Sequence, residues 1–134
     1  MGLREIQEET GIFEASDDAL CIGLDFSDLD YLRDMKVDAT VVDEPKDVKG
    51  IRGKFNVIVV APEMSVFSVF GVVEECVDAL LLNGKIVVKV KVEADFEDAK
   101  NMVAQLSKSL KLQPERYVTT CENDVWLILS RMQR

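Results

Sequence analysis

Residues 55–92, FNVIVVAPEMSVFSVFGVVEECVDALLLNGKIVVKVKV, decide the fold. Phe55 to Ala61, centred on the β-branched residues Val57 to Val60, is the clearest strand in the chain, and Pro62 stops it. From Ser65 or Ser68 to Leu82, the apolar residues Phe67, Phe70, Val73, Val77, Leu80 and Leu81 recur at helical spacing, and Asn83-Gly84 is the expected helix stop. Lys85 to Val92 then reads as a second strand whose later half alternates Lys with Val. A strand, a helix and a strand in that order form a crossover unit with parallel strands.

The pattern repeats on both sides. Ala19 to Leu24 is a short apolar run between acids, hence a strand. Residues 27–35 place Leu29, Leu32 and Met35 on one side of a short helix, with Ser27, Asp25 and Asp28 as candidate caps. Asp38 to Asp43 is a β-branched strand ended by Glu44-Pro45, and Lys46 to Lys54 is a charged connector. Phe96 to Leu110 is an amphipathic helix with acids at its start and lysines at its end. Residues 116–120 and 125–129 are two last strands, with 121–124 as a tight turn. In residues 1–17, Ile6, Ile12 and Phe13 line one side of a short helix or arm, which Thr10-Gly11 interrupts. The expected architecture is one α/β domain over residues 1–134, with three α/β/α layers of the Rossmann-like type. Its sheet is mostly parallel, with an antiparallel terminal strand.

Composition limits the chemistry. The chain has 134 residues, 25 acids and 16 bases, for a formal net charge of −9. Such a surface repels phosphate backbones, so nucleic acid and anionic membranes are poor partners. A protein partner or a second copy is easier to accommodate. No apolar run reaches the ~20 residues that span a bilayer, and MGLREIQEETGIFEA has neither signal-peptide nor transit-peptide character. There is no histidine, which removes imidazole catalysis and His-based metal sites. No metal is expected. Cys21, Cys76 and Cys121 are widely spaced and odd in number, as expected of buried free thiols in a reducing compartment, here the cytoplasm.

From Phe55 to the end, the chain resembles the C-terminal half of Rossmann-like S-adenosylmethionine-dependent methyltransferases. LLLNGKIVVKVKV, residues 80–92, is similar to that superfamily's L-x-x-G-G-x-x-x-x-K segment, and APEMS, residues 61–65, follows a strand as the family's substrate-side loop does. FtsJ-type ribose methyltransferases, with MAPNMSG and VVKV, look closest.

The resemblance implies S-adenosylmethionine as cofactor, with Gly23, Asp25, Asp43 and Pro62 as the candidate binding residues. Asp43 stands twenty residues after Gly23, where an acid usually holds the ribose hydroxyls. Lys89 matches the second lysine of the FtsJ Lys-Asp-Lys-Glu set and is the one catalytic candidate, and Asp124 lies where the glutamate would be. An edge or rim position is the simpler reading of Lys89, and a plain turn or strand stop is the simpler reading of Asp43 and Pro62.

Three departures suggest degeneracy. The loop CIGLDFSDLD, residues 21–30, has one glycine where the family has two or three. Val59 replaces the central aspartate, and only eleven residues separate Asp43 from Phe55, too few for the usual third strand and its helix. The expectation is a catalytically degenerate methyltransferase-like domain that acts by protein binding or self-association, with no cofactor. The alternative is a minimal S-adenosylmethionine-dependent methyltransferase, completed by another subunit.

Overall fold

The computed structural model describes residues 2–42, 53–61, 66–91, 101, 104–105, 108, 112–119 and 124–131. In chain order these form α1 (Gly2–Thr10), β1 (Asp18–Ile22), α2 (Phe26–Asp34), β2 (Asp38–Val42), β3 (Phe55–Val60), α3 (Val66–Cys76), a 3-10 turn (Val77–Ala79), β4 (Leu80–Lys91), β5 (Leu112–Thr119) and β6 (Asp124–Arg131). Asn101, Ala104, Gln105 and Lys108 are helical and exposed. The apolar stripe expected over 96–110 lies outside the described residues.

The six strands form one sheet in the order β2-β1-β3-β4-β6-β5. β2, β1, β3 and β4 are parallel, and β6 runs antiparallel to both β4 and β5. The antiparallel strand is therefore inserted between β4 and β5, and β5 takes the edge.

Alternation along the strands builds two cores. Leu20, Ile22, Ile58, Val60, Ile86, Val88, Leu127 and Leu129 face one side and pack with Val72, Val73 and Cys76 of α3. Ala19, Cys21, Val57, Val59, Val87, Trp126 and Ile128 face the other and pack with Leu3 and Ile6 of α1 and Leu29 and Leu32 of α2. A parallel sheet buried on both faces between helices is the three-layer arrangement expected from the sequence. Phe13 is buried with α1, so the amino-terminal segment is a packed part of this core.

Two boundaries differ from expectation. The helix expected to reach Leu82 ends at Cys76, and β4 begins at Leu80, so Asn83-Gly84 lies within a strand instead of closing a helix. The cause is lateral pairing. Gly53 N donates to Asp78 O and Lys54 N to Ala79 O, each at 2.9 Å, which draws residues 78–80 beside the start of β3. Phe55 then pairs with Leu80 but Val57 pairs with Lys85, so β4 carries the extra residues as an irregularity. Gly84 is buried there, and an added Cβ would lie 2.5 Å from Leu80 Cδ1 and 2.8 Å from the Leu81 carbonyl oxygen, so the position favours glycine. The last strands are also longer than expected. β5 runs through Pro114, which an edge strand tolerates where its register with β6 shifts between Pro114 and Arg116.

Gly84→Ala is expected to lower unfolding free energy by about 1–3 kcal/mol through overpacking, as measured by chemical denaturation. An unchanged midpoint would show that Leu80 and the backbone have room to move.

Candidate functional site

In an open α/β sheet, ligands bind outside the carboxyl ends of the strands where the chain reverses its direction of progress. Here that point lies between β1 and β3, because β1 leads outward to β2 while β3 leads the other way to β4. Ala61 N donates to Ile22 O at 2.9 Å, which closes the two strands together just beneath the crevice.

The chain leaves β1 through Gly23, whose φ of +73° is a conformation that favours glycine. Leu24 is half-buried and packs on the α1/α2 core. Asp25 is exposed and caps α2, its carboxylate accepting from Asp28 N at 2.9 Å and from Ser27 Oγ at 3.2 Å. Phe26 is 85% exposed. The side chains after β1 thus divide: Leu24 turns into the core, Asp25 closes a helix and Phe26 faces solvent. Of the sequence candidates, Gly23 and Asp25 come together here, while Asp43 and Pro62 lie outside the described residues. Among the candidate caps, Asp25 takes the Ncap position of α2 and Ser27 lies inside the helix.

Asp28 has a different role. It is 5% exposed, and its Oδ1 accepts from Leu3 N at 3.3 Å, so it caps α1 across a sequence distance of 25 residues. Burial pushes its carboxyl above the ordinary 3.8, the nearby Asp25 charge pushes the same way, and the Leu3 amide and Lys89 oppose them. Sequence patterning had no signal for this contact, since it depends on how α1 packs on α2.

Lys89 is half-buried on the same sheet face as Val59 and Val87, with Nζ 5.7 Å from the centre of the Trp126 ring. Its cross-strand neighbour is Trp126, whereas Asp124 pairs with Lys91. The strand register therefore sets Lys89 beside an indole and in the field of Asp28, and sets Asp124 two pairs further along. Val59, where the ribose-methyltransferase resemblance wants an acid, is fully buried among apolar side chains. Trp126 is 1% exposed, and among the described residues its Nε1 has no hydrogen-bond partner.

Burial pushes the Cys21 thiol up to about 12 and the Cys76 thiol up to about 11, so neither is a thiolate nucleophile near neutrality. Cys121 lies outside the described residues. Among the described residues no group of three or more His, Cys, Asp or Glu side chains could hold a metal, and no helix is long and apolar enough to cross a membrane.

Among the described residues, hollows also lie elsewhere. One of about 370 Å³, lined by Thr10, Ile12, Glu14 and the Lys85–Glu115 ion pair, sits at the amino end of the parallel strands. Another of about 210 Å³, lined by Arg4, Asp28, Asp30, Tyr31 and Asp34, lies on the α1/α2 layer.

Asp28 makes a pH prediction. Its folded-state affinity for a proton exceeds the unfolded one, so its contribution to stability is present below pH 3.8 and is lost as pH rises through the raised folded value. Asp28→Asn keeps an acceptor for Leu3 N and should remove that loss, whereas Asp28→Ala should cost about 1–2 kcal/mol by uncapping α1. Denaturant titrations across pH measure both. A second expectation concerns the thiols: Cys21 and Cys76 should resist alkylation in the native state and react only on unfolding, which mass spectrometry reads directly.

No family model and no curated protein matches the sequence. Solved structures do match. A methyltransferase dependent on S-adenosylmethionine from Aquifex aeolicus has a TM-score of 0.66 at 13% identity, covering 98% of this chain and 90% of that one. The 1,6-didemethyltoxoflavin-N1-methyltransferase of Burkholderia thailandensis, solved with bound 1,6-didemethyltoxoflavin and S-adenosylhomocysteine, has a TM-score of 0.67 at 9% identity, covering 95% of this chain and 75% of that one. A chain from the complex between the Haloferax volcanii Trm112 methyltransferase activator and its methyltransferase has a TM-score of 0.63 at 10% identity, covering 91% and 85%. At these identities the likeness is one of fold: the chain has the Rossmann-like α/β architecture found in S-adenosylmethionine-dependent methyltransferases.

Proposed function

We propose that this chain is a methyltransferase-like domain that works by binding a protein partner, its cofactor crevice having lost the features that hold an adenosyl group. The observation that carries this reading is the segment after β1. A cofactor loop needs backbone that can pass close to the ligand, which is why glycines serve there. Here Gly23 stands alone, Leu24 is committed to the core and Asp25 is committed to capping α2. Asp25 also sets a carboxylate at the helix end where an anionic ligand group would otherwise be favoured. These residues fit S-adenosylmethionine poorly. The catalytic set fits no better, because Val59 supplies no proton acceptor beside Lys89.

The net charge of −9 supports a protein partner over nucleic acid. The Haloferax volcanii neighbour, solved in complex with an activator protein, is a precedent for partnership on this fold. Buried neutral thiols suit a reducing compartment such as the cytoplasm.

A second reading keeps the activity: a minimal S-adenosylmethionine-dependent methyltransferase whose pocket wall comes from another subunit. Gly23, with its left-handed backbone beneath the start of α2, favours it. The neighbour holding S-adenosylhomocysteine supports it by fold likeness. Gly23, Asp43 and Pro62 would then surround the cofactor.

Calorimetric titration of S-adenosylmethionine separates the readings. The first expects no binding at millimolar ligand. Micromolar affinity, weakened about ten-fold or more by Asp43→Ala, would establish the second.

A further inference from the structure

We propose that the outer edge of β2 is where two copies of this chain join, β2 pairing antiparallel with β2 of the second copy about a two-fold axis through Thr40. The inference rests on the reading of the chain as a protein-binding domain, and it names the surface and the partner.

The sheet has two edges, and they are built differently. β5 carries Pro114, a register shift between Pro114 and Arg116, and Glu115 paired with Lys85. Proline, irregular register and charge are the devices by which an edge strand discourages further pairing. β2, with the sequence Asp38-Ala39-Thr40-Val41-Val42, has neither proline nor lysine and pairs with β1 in unbroken parallel register. Among the described residues no strand pairs with its other side.

Among the described residues two large apolar side chains stand out in solvent, Phe26 at 85% and Val41 at 45% exposure. Both belong to this edge. Val41 pairs with Cys21, so it faces the side of the sheet that α2 covers. On α2, Asp28 and Tyr31 face α1, against the Leu3 amide and the Arg4 guanidinium. Leu29 and Leu32 face the sheet. Phe26, Asp30 and Arg33 form the i, i+4, i+7 stripe on the remaining flank, and all three are exposed. The end of α1 borders Lys85 of β4 and Ile128 of β6, so the flank of α2 turned away from α1 overhangs β2. The Arg33 charge accordingly reaches Cys21, the strand partner of Val41.

Self-complementarity selects the occupant. An axis normal to the sheet through Thr40 sets Thr40 against Thr40 of the second copy, Ala39 against Val41 and Asp38 against Val42. No carboxylate then faces another across the ladder, and each exposed Val41 is covered beside a small Ala39. The same axis keeps both α2 helices on one face and runs them antiparallel. Arg33 of one copy then meets Asp30 and the Phe26 ring of the other, an ion pair and a cation–π contact. Residues 30–54 balance six acids against six bases, so the edge itself carries no like-charge barrier. The assembly is closed, because the edges it leaves free are the two β5 strands.

The test uses the intact chain at ~0.15 M salt, where charges beyond about 8 Å are screened, without S-adenosylmethionine. Sedimentation from micromolar to millimolar chain should show a monomer–dimer equilibrium and no larger species. Amide exchange by NMR should slow at Asp38–Val42 as concentration rises. Phe26→Ser and Val41→Lys alter exposed side chains, so each should leave the thermal midpoint of dilute chain unmoved while weakening the dimer about ten-fold or more. Arg33→Glu should weaken it too, and adding Asp30→Arg should restore it. In a Cys121→Ser background, Thr40→Cys should give a disulfide-linked dimer on mild oxidation, and Glu115→Cys should not. A chain monomeric throughout, a dimer indifferent to Phe26→Ser and Val41→Lys, or crosslinking at position 115 in place of 40 would each overturn the proposal. Failure here removes the β2 interface but leaves the cofactor titration to judge the degenerate reading. Cofactor binding would overturn that reading whatever β2 does.

Discussion

The parallel pairing of β1 with β3 is the constraint from which the rest of the structure follows. Both strands are buried on both faces, so helices must cover the sheet on two sides. α1 and α2 supply one cover and α3 the other, each presenting apolar side chains to alternate residues of the same strands. The same pairing sets the crevice, because the chain departs from β1 and from β3 in opposite directions along the sheet. Ala61 N bonded to Ile22 O fixes how far the two strands remain together before they part.

Among the described residues, the carboxylates that follow β1 serve local closure. Asp25 ends α2, and Asp28, buried, ends α1. A buried carboxylate is costly unless its oxygens are satisfied. The Leu3 amide and the Lys89 charge offset that cost only in part, because burial still holds the Asp28 carboxyl above its ordinary value, and the Leu3 contact ties the amino-terminal helix to α2. Lys89 in turn lies over the Trp126 ring. These groups belong to the packing of α1, α2 and β4, which makes a structural role sufficient to explain them.

Much of the fold was legible in the sequence. The apolar run at 19–22, the β-branched runs at 38–42 and 57–60 and the helical spacing at 29–32 needed only strand-like and period-3.6 patterning. The end of α3 was not legible, since Val77, Leu80 and Leu81 keep helical spacing in a stretch that leaves the helix. Lateral hydrogen bonds from Gly53 and Lys54 override that local pattern. The position of β6 inside the sheet, and not at its edge, was equally hidden, because a short turn allows either placement. At the site, the lone glycine and the capping residue Asp25 could be read from type and order. Asp28 capping α1 could not, because it joins residues 25 apart.

The proposal that this domain binds a protein in place of a cofactor turns on one local arrangement, Asp25 holding the start of α2 above Gly23. The most direct measurement is a crystal soaked in concentrated S-adenosylmethionine and viewed at the carboxyl ends of β1 and β2. The account predicts no adenosyl density, with the Asp25 carboxylate still on the Asp28 amide. Ordered cofactor over Gly23, with Asp25 turned away from α2, would contradict it.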